Sequence, residues 1–324
     1  MISKFPSRTV CILGGTGFVG RQITGQLVQS GYSVRIPTRH RERARELLVL
    51  PSVEIVTADV HDESVLPRLV AGADAVINLV GILNEKGHDG SGFRKAHVEL
   101  VEKLVKACQE SGVPHLLHMS SLKANADTGP SHYLRSKGAG ERALKNLAGE
   151  ELRYTIFQPS VIFGAEDLFI NRFARLLRVC PFLPLARPDA RFAPVFVGNV
   201  ASAFCAALEN HTAYGRTFQL YGPDEFSLQE IVEEIARTLG LKRWVIRLPD
   251  SLARTQAWLL DYVIPGKIFT LDNYRSMAVA STGTENGLSA LGLTATPMRL
   301  VVPDYLANRD RQRLLSEFRR KSSR

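Results

Sequence analysis

Short apolar, β-branched runs punctuate the first half of the chain: TVCIL from Thr9, SVRIP from Ser33, VEIVTA from Val53, AVINLV from Ala75, HLLHMS from His115 and YTIFQ from Tyr154. Between them the pattern changes to helical spacing, in segments beginning near Phe18, Arg41, Glu63, Phe93 and His132. In HVELVEKLVKACQESG, Val98, Val101, Leu104, Val105 and Cys108 share one helical face, and Gly112 stops the helix before Pro114. Strands alternating with crossover helices predict an α/β fold, a doubly wound parallel sheet over residues 1–160.

Past Pro159 the rhythm breaks into longer loops at Pro181, Pro184, Pro188 and Pro194. A helix follows in NVASAFCAALEN, a strand in GRTFQLYG and a helix in SLQEIVEEIARTLG, where Ser227 caps and Glu230 answers it. Residues 161–324 are therefore expected to form a smaller α/β region over the cleft, with contributions back to the first. No internal repeat or low-complexity linker separates the two.

The stretch ILGGTGFVG places Gly14, Gly17 and Gly20 directly after the first strand and at the start of a helix. A helix start presents unpaired N–H groups and a positive dipole end, which suit a pyrophosphate, so the sheet is read as Rossmann-type and the ligand as a nicotinamide dinucleotide. Gly14 permits the tight turn, Gly17 close approach of the phosphate and Gly20 packing of helix on strand. The second strand ends in SVRIPTRHRER, without the carboxylate that accepts from a ribose 2′-OH. Arg39 offers a guanidinium fork to a 2′-phosphate instead, which favours NADP(H) over NAD(H). Asp59, in TADVHD, either accepts from the adenine amino group while Val60 packs on the ring, or caps the helix starting near Asp62. Leu79, Val80 and Gly81 end the fourth strand at the sheet edge where ligands collect.

Tyr133 and Lys137 lie four apart in HYLRSKGAGE and so share a helix face. A lysine cation beside a phenol lowers its pKa and makes it a usable proton donor or acceptor for a carbonyl or alcohol. Ser120, at the end of the fifth strand, is expected to orient the same oxygen. This set suits hydride transfer assisted by proton transfer. Lys137 also carries a second role, bonding the nicotinamide ribose whether or not a substrate turns over. Phe169, Phe173, Leu176 and Leu177 form a stripe that either lines a pocket for an apolar, prenylated small molecule or packs into a core. Leu252, Trp258, Leu259 and Tyr262 raise the same choice, with a membrane surface or partner added.

Composition narrows the setting. No apolar run is long enough to cross a bilayer. MISKFPS is too short for a signal or transit peptide, so a cytoplasmic location is expected. Cys11, Cys108, Cys180 and Cys205 lack metal-binding spacing and read as reduced buried thiols, with no metal site. The net charge of +9 is concentrated in the tail RDRQRLLSEFRRKSSR. That tail is either a solvated helix or a membrane-surface or partner-docking element. Without aromatic residues interleaved among the basic ones, nucleic acid is not an expected partner.

GGTGFVG, Asp59, NLVG, the serine pair Ser120 and Ser121, YLRSK and QPSVIFG together resemble the short-chain dehydrogenase/reductase superfamily, in its extended or atypical branch. Along nearly the whole chain, YLRSKGAGE, QPSVIFGAEDLFINRFA, PVFVGNVASAF and NGLSALGL followed by VVPDYL look like the nucleotide-binding accessory subunits of respiratory complex I and their bacterial relatives. The resemblance implies that Gly14, Thr16, Gly17, Phe18, Val19 and Gly20 meet the pyrophosphate and Arg39 the 2′-phosphate. By the same carry-over, Pro159, Ser160, Val161 and Ile162 flank the nicotinamide. It implies the cofactor more firmly than the reaction: the first expectation is an oxidoreductase acting on a carbonyl, alcohol or quinone-related substrate, and the two alternatives are a non-catalytic NADPH-holding accessory or assembly factor of respiratory complex I and a nucleotide-sugar epimerase or dehydratase. The short interval from Ser120 to Tyr133 is that of the simple reductases, which weighs against the epimerase.

Overall fold

The computed structural model describes residues 8–263 and 269–306. The leader MISKFPS and the basic tail lie outside the described residues. Two compact units are present. One contains the chain up to Pro159 with Val197–Leu220 and Gly283–Thr294; the other contains Ser160–Phe196, Tyr221–Thr282 and the residues from Ala295 on.

In chain order the first unit opens with β1 (Thr9–Leu13), α1 (Phe18–Gln29), β2 (Ser33–Thr38), β3 (Val53–Thr57), α2 (Leu66–Val70) and β4 (Ala75–Asn78). It continues through α3 (Ser91–Arg94), α4 (Leu100–Glu110), β5 (His115–Met119), α5 (His132–Leu147) and β6 (Arg153–Pro159). The second unit begins with β7 (Ile162–Phe163), α6 (Phe169–Val179), β8 (Phe182–Leu185), β9 (Arg191–Phe192) and β10 (Val195–Phe196). α7 (Val197–Glu209) and β11 (Thr217–Leu220) return to the first unit. β12 (Phe226–Ser227), α8 (Leu228–Thr238), β13 (Trp244–Arg247) and α9 (Asp250–Tyr262) belong to the second.

Seven parallel strands pair in the order β11-β6-β5-β4-β1-β2-β3. This is the doubly wound, Rossmann-type sheet. All four residues of β4 are buried, as expected of a strand covered on both faces by crossover helices. The order reverses between β1 and β4, and the crevice outside the carboxyl ends of those two strands is where such sheets bind ligands. The Gly14 loop and Leu79–Gly81 both leave the sheet there.

Two helices differ from expectation. Near Arg41 there is only a single 3-10 turn, Arg41–Ala44, because Ala44 and Leu47 are its buried anchors and the residues between them are exposed. The helix near Phe93 is interrupted by a π turn over Lys95–Glu99 before continuing as α4. Such bulges often mark functional positions.

The second unit has its own core, in which Ile170, Ala174 and Leu177 of α6 meet Ile231, Val232 and Ile235 of α8. Phe169, Phe173 and Leu176 pack against it, so core packing is the use to which the α6 stripe is put. Helix α8 starts with the expected Ser227 and Glu230 capping box. Cys11, Cys108, Cys180 and Cys205 are unpaired, and burial pushes the Cys11 and Cys205 thiols up to about 12. Among the described residues no cluster of metal-ligating side chains is present, and no helix is long and apolar enough to cross a membrane.

Candidate active site

The loop after β1 is built by glycine geometry. Gly14 has φ of +82°, and a Cβ on it would lie 3.2 Å from the Leu79 carbonyl carbon. A Cβ at Gly20 would stand 2.5 Å from the Gly14 carbonyl oxygen, so this glycine lets α1 press against the loop rather than against β1 alone. Gly17 is the N-cap of α1, and no side chain caps the helix there. The first turn of α1 carries no acidic residue, which leaves its positive dipole end uncompensated. Thr16 and Phe18 are half-buried, while Val19 turns its side chain into the core and offers the loop only its backbone.

Arg39 follows β2 and is exposed. Asp59 accepts from the His61 N–H at 3.1 Å, closing its own turn. The cap of the following 3-10 turn is Asp62, which accepts from Ser64 N–H at 3.0 Å. Val60 and Val80 rest against the sheet core. β4 ends at Asn78, so Leu79, Val80 and Gly81 form the loop beyond it. Pro159 ends β6, whereas Ser160, Val161 and Ile162 open the second unit. There Ser160 Oγ donates to the Ser281 carbonyl at 2.8 Å, and the Val161 carbonyl accepts from Val195 N–H at 2.9 Å.

Tyr133 and Lys137 lie one turn apart on α5. Lys137 is buried, and its ammonium donates to the Met119 carbonyl at the end of β5, 3.0 Å away. Burial pulls its pKa down to about 8, against the opposing pull of Glu141. The expected role of Ser120 does not fit its contacts. Its hydroxyl donates to the buried carboxylate of Glu141, which also accepts from Gln158 Nε2 at 2.8 Å. Ser121 is instead the hydroxyl bonded to the Tyr133 phenol. Successive side chains at a strand end point to opposite sides, so exchanging one serine for its neighbour reverses the direction in which the hydroxyl points. Burial raises the phenol above its ordinary value and the Ser121 bond lowers it, with burial the larger influence. The phenol is therefore protonated at neutral pH.

Two imidazoles complete the surroundings of the lysine. His97, on the π turn, accepts the Ile82 N–H at Nε2, 3.0 Å away. Its proton must then be on Nδ1, which lies 2.8 Å from Ser136 Oγ, and Ser136 in turn donates to the Tyr133 carbonyl. His118 Nδ1 lies 3.2 Å from the Asn78 amide nitrogen, and Asn78 Oδ1 accepts from Val80 N–H. Burial first, and the Lys137 charge second, push His97 down to about 2 and His118 to about 3. Both rings stay neutral beside the cation. Gly81 completes the cluster: a Cβ there would approach Lys137 Nζ to 3.1 Å and His97 Nε2 to 3.3 Å.

Helix α5 reaches this position because of Gly138 and Gly140. A Cβ on Gly140 would lie 2.1 Å from the His97 carbonyl oxygen, and one on Gly138 would lie 2.3 Å from Ala126 N. Gly140→Ala should destabilise the protein by roughly 2 kcal/mol or more, since a backbone clash outweighs the helix preference of alanine. A denaturant melt equal to that of the parent protein would count against this packing.

Sequence reasoning missed His97, His118, Glu141 and Gly140, and noted Ser121 only as part of a motif, without a role. His97 was detectable, since it shares its helical phase with the apolar Val101, Leu104 and Cys108. Glu141 continues the spacing of Tyr133 and Lys137.

Comparisons with known proteins bear on the family and the ligand class. A family model described as NAD(P)H-binding matches residues 14–166. The chain is 30% identical over 304 residues to NADH dehydrogenase (ubiquinone) 1 alpha subcomplex subunit 9, mitochondrial, of Arabidopsis thaliana, covering 89% of this chain and 74% of that protein. It is 29% identical over 252 residues to the ceramide reductase of Caulobacter vibrioides, covering 78% of this chain and 77% of that protein. The solved structure of MoeE5 in complex with UDP-glucose and NAD shares the fold with a TM-score of 0.71 at 17% identity, over 93% of this chain and 99% of that one. The glycine cradle beside β4 and the matches to these relatives agree on a nicotinamide dinucleotide as ligand. The chain belongs to the NAD(P)-binding, short-chain dehydrogenase/reductase-like family that includes the alpha subcomplex subunit 9 proteins of complex I.

Proposed function

We propose that this protein is an NADP(H)-dependent oxidoreductase that interconverts a carbonyl and an alcohol on a quinone-related or lipid substrate. The observation that carries this reading is the protonated Tyr133 phenol, bonded to Ser121 and one turn from the buried Lys137 cation. The uncapped start of α1, the glycine faces at 14, 17 and 81 that a Cβ would fill, and the exposed Arg39 fit a dinucleotide. When bound, the nicotinamide supplies or accepts the hydride. Tyr133 Oη gives its proton to the carbonyl oxygen on reduction and recovers one from solvent. Ser121 orients that oxygen, and Lys137 favours the transient phenolate while donating to the ribose. Arg39 holds the 2′-phosphate. A relative named a ceramide reductase supports reduction of a lipid-borne group.

A second reading has its own support: relatives 26–30% identical to this chain over the aligned residues are named as subunits of NADH dehydrogenase (ubiquinone) or NADH-ubiquinone oxidoreductase. In that reading the nucleotide is held without turnover. Purified protein loaded with NADPH and offered quinones, aldehydes and ketones, with the reduced-nicotinamide absorbance followed, separates the two. Oxidation lost in Tyr133→Phe supports the oxidoreductase; a nucleotide that stays reduced against all of them supports the holder. For the cofactor, Arg39→Asp should weaken NADPH roughly tenfold to a hundredfold more than NADH. Equal loss of both would remove the phosphate contact.

A further inference from the structure

The second unit carries an apolar face that its own core does not use. β8 and β13 pair in parallel with Trp244 opposite Phe182 and Ile246 opposite Pro184, and all four side chains are exposed on that two-stranded sheet. Trp244 is 70% exposed, and its ring meets Phe182 edge-on with centroids 5.7 Å apart. Helix α9 lies alongside: Gln256 Nε2 donates to the Pro184 carbonyl, while Ala253 and Ala257 pack near Ala186. Leu252, Leu259 and Val263 share the helical stripe of Gln256, at four-, three- and four-residue steps, so this exposed stripe flanks the strand. Trp258, 50% exposed and stacked on Tyr262, stands further out.

Basic residues predominate around this face. Residues 175–184, 242–249 and 251–260, in these strands and helix α9 and in the chain leading into β8, contain Arg175, Arg178, Lys242, Arg243, Arg247 and Arg254 and no Asp or Glu. The carboxylates beside it are engaged within the unit: Asp189 and Asp250 bond Arg247 and Tyr274, and the buried Asp261 accepts from Leu271 N–H. Aromatic rings with aliphatic neighbours and a cationic rim are the surface that settles at the headgroup level of a bilayer, where Trp and Tyr place apolar bodies inward and polar atoms in water. We infer that this face of the second unit docks on an anionic lipid surface, with Phe182, Trp244, Trp258 and Tyr262 entering the interface and the basic side chains pairing with lipid phosphates. A second copy of the chain is a poorer occupant, because a self-complementary contact sets these cations against their own copies. The inference does not depend on the proposed reaction.

The chain has two tryptophans, Trp244 on β13 and Trp258 on α9, both exposed, so intrinsic fluorescence reports on these two elements directly. The full-length protein is mixed with vesicles of phosphatidylcholine alone or with added phosphatidylglycerol, and emission and co-sedimentation are read together. The expected result is a blue shift with the anionic vesicles, weakened by salt, that persists in each of Trp244→Phe and Trp258→Phe. Lys242→Glu with Arg254→Glu should lower vesicle affinity at least roughly tenfold while the melt is unchanged. Co-sedimentation without a blue shift would mean that another part of the chain binds lipid. A blue shift that follows protein concentration without vesicles would mean a second copy. Either result, or no binding at all, overturns the inference.

Discussion

Lys137→Met is expected to yield a protein that is more stable than the parent at neutral pH and has lost its turnover. The Lys137 pKa falls from 10.5 to about 8 on folding, so between those values the unfolded chain binds more protons than the folded one. Stability contributed by this residue therefore rises with pH across that window, and below about pH 8 the full cost of burying the cation is present. That cost is at most about 3 kcal/mol, and the Met119 carbonyl loses a donor worth about 1 kcal/mol when the ammonium is removed. A net gain of about 1–2 kcal/mol at neutral pH should shrink toward zero or reverse once the lysine is neutral in both states. Under the proposed chemistry the same variant loses roughly a hundredfold to ten-thousandfold in turnover, because the phenolate is no longer favoured. Denaturant melts at neutral and alkaline pH, run beside the oxidation assay, check both halves. Destabilisation at neutral pH would show that the ammonium earns more from its contacts than burial costs.

Acid should unfold this protein early. His97, His118 and His115 fall from 6.5 to about 2, 3 and 4, each mainly through burial. His115 is packed against Tyr214 and lies 3.0 Å from Thr155 Oγ1, away from the Lys137 cluster. A folded pKa below the unfolded one means that the neutral ring is fully compatible with folding above pH 6.5, and that stability is lost as pH falls from 6.5 toward the folded values. Each ring costs about 1.4 kcal/mol per pH unit in that window. Three together remove about 4 kcal/mol per unit, a large part of an ordinary domain's stability. Circular dichroism across the acid range should show a steep loss beginning just below pH 6.5, made shallower by His118→Gln. A flat profile down to the carboxylate range would contradict the buried, neutral state of these rings.

The parallel sheet was legible because its signals are local. Strand runs such as TVCIL and AVINLV are continuous in sequence, and the glycines of the β1 loop follow one of them directly. The pair Tyr133 and Lys137 was legible for the same reason, since both lie on one helix at four-residue spacing. The choice between Ser120 and Ser121 was not. It depends on which way the chain leaves β5, and that is decided by a carboxylate on α5 that captures Ser120. His97 and Gly81 were each open to notice, one by its helical phase and the other by its place after β4, but their meeting with Lys137 is fixed only once β4, the π turn and α5 have come together. The helix expected near Arg41 failed because, of its apolar residues, Ala44 and Leu47 are buried while Leu48 and Val49 are left exposed, so little packing holds a longer helix there. The α6 stripe allowed both a pocket and a core, and only its contacts with α8 distinguish them.

Calorimetric titration of NADPH into the purified parent protein and into Gly81→Val tests the central claim most directly. The parent should bind one equivalent, and the valine side chain, projecting toward Lys137 Nζ from a position where even a Cβ would be 3.1 Å away, should weaken binding by roughly a hundredfold or more while the fold persists. A parent protein that takes up no nicotinamide nucleotide, or a valine variant that binds as tightly, would contradict the account.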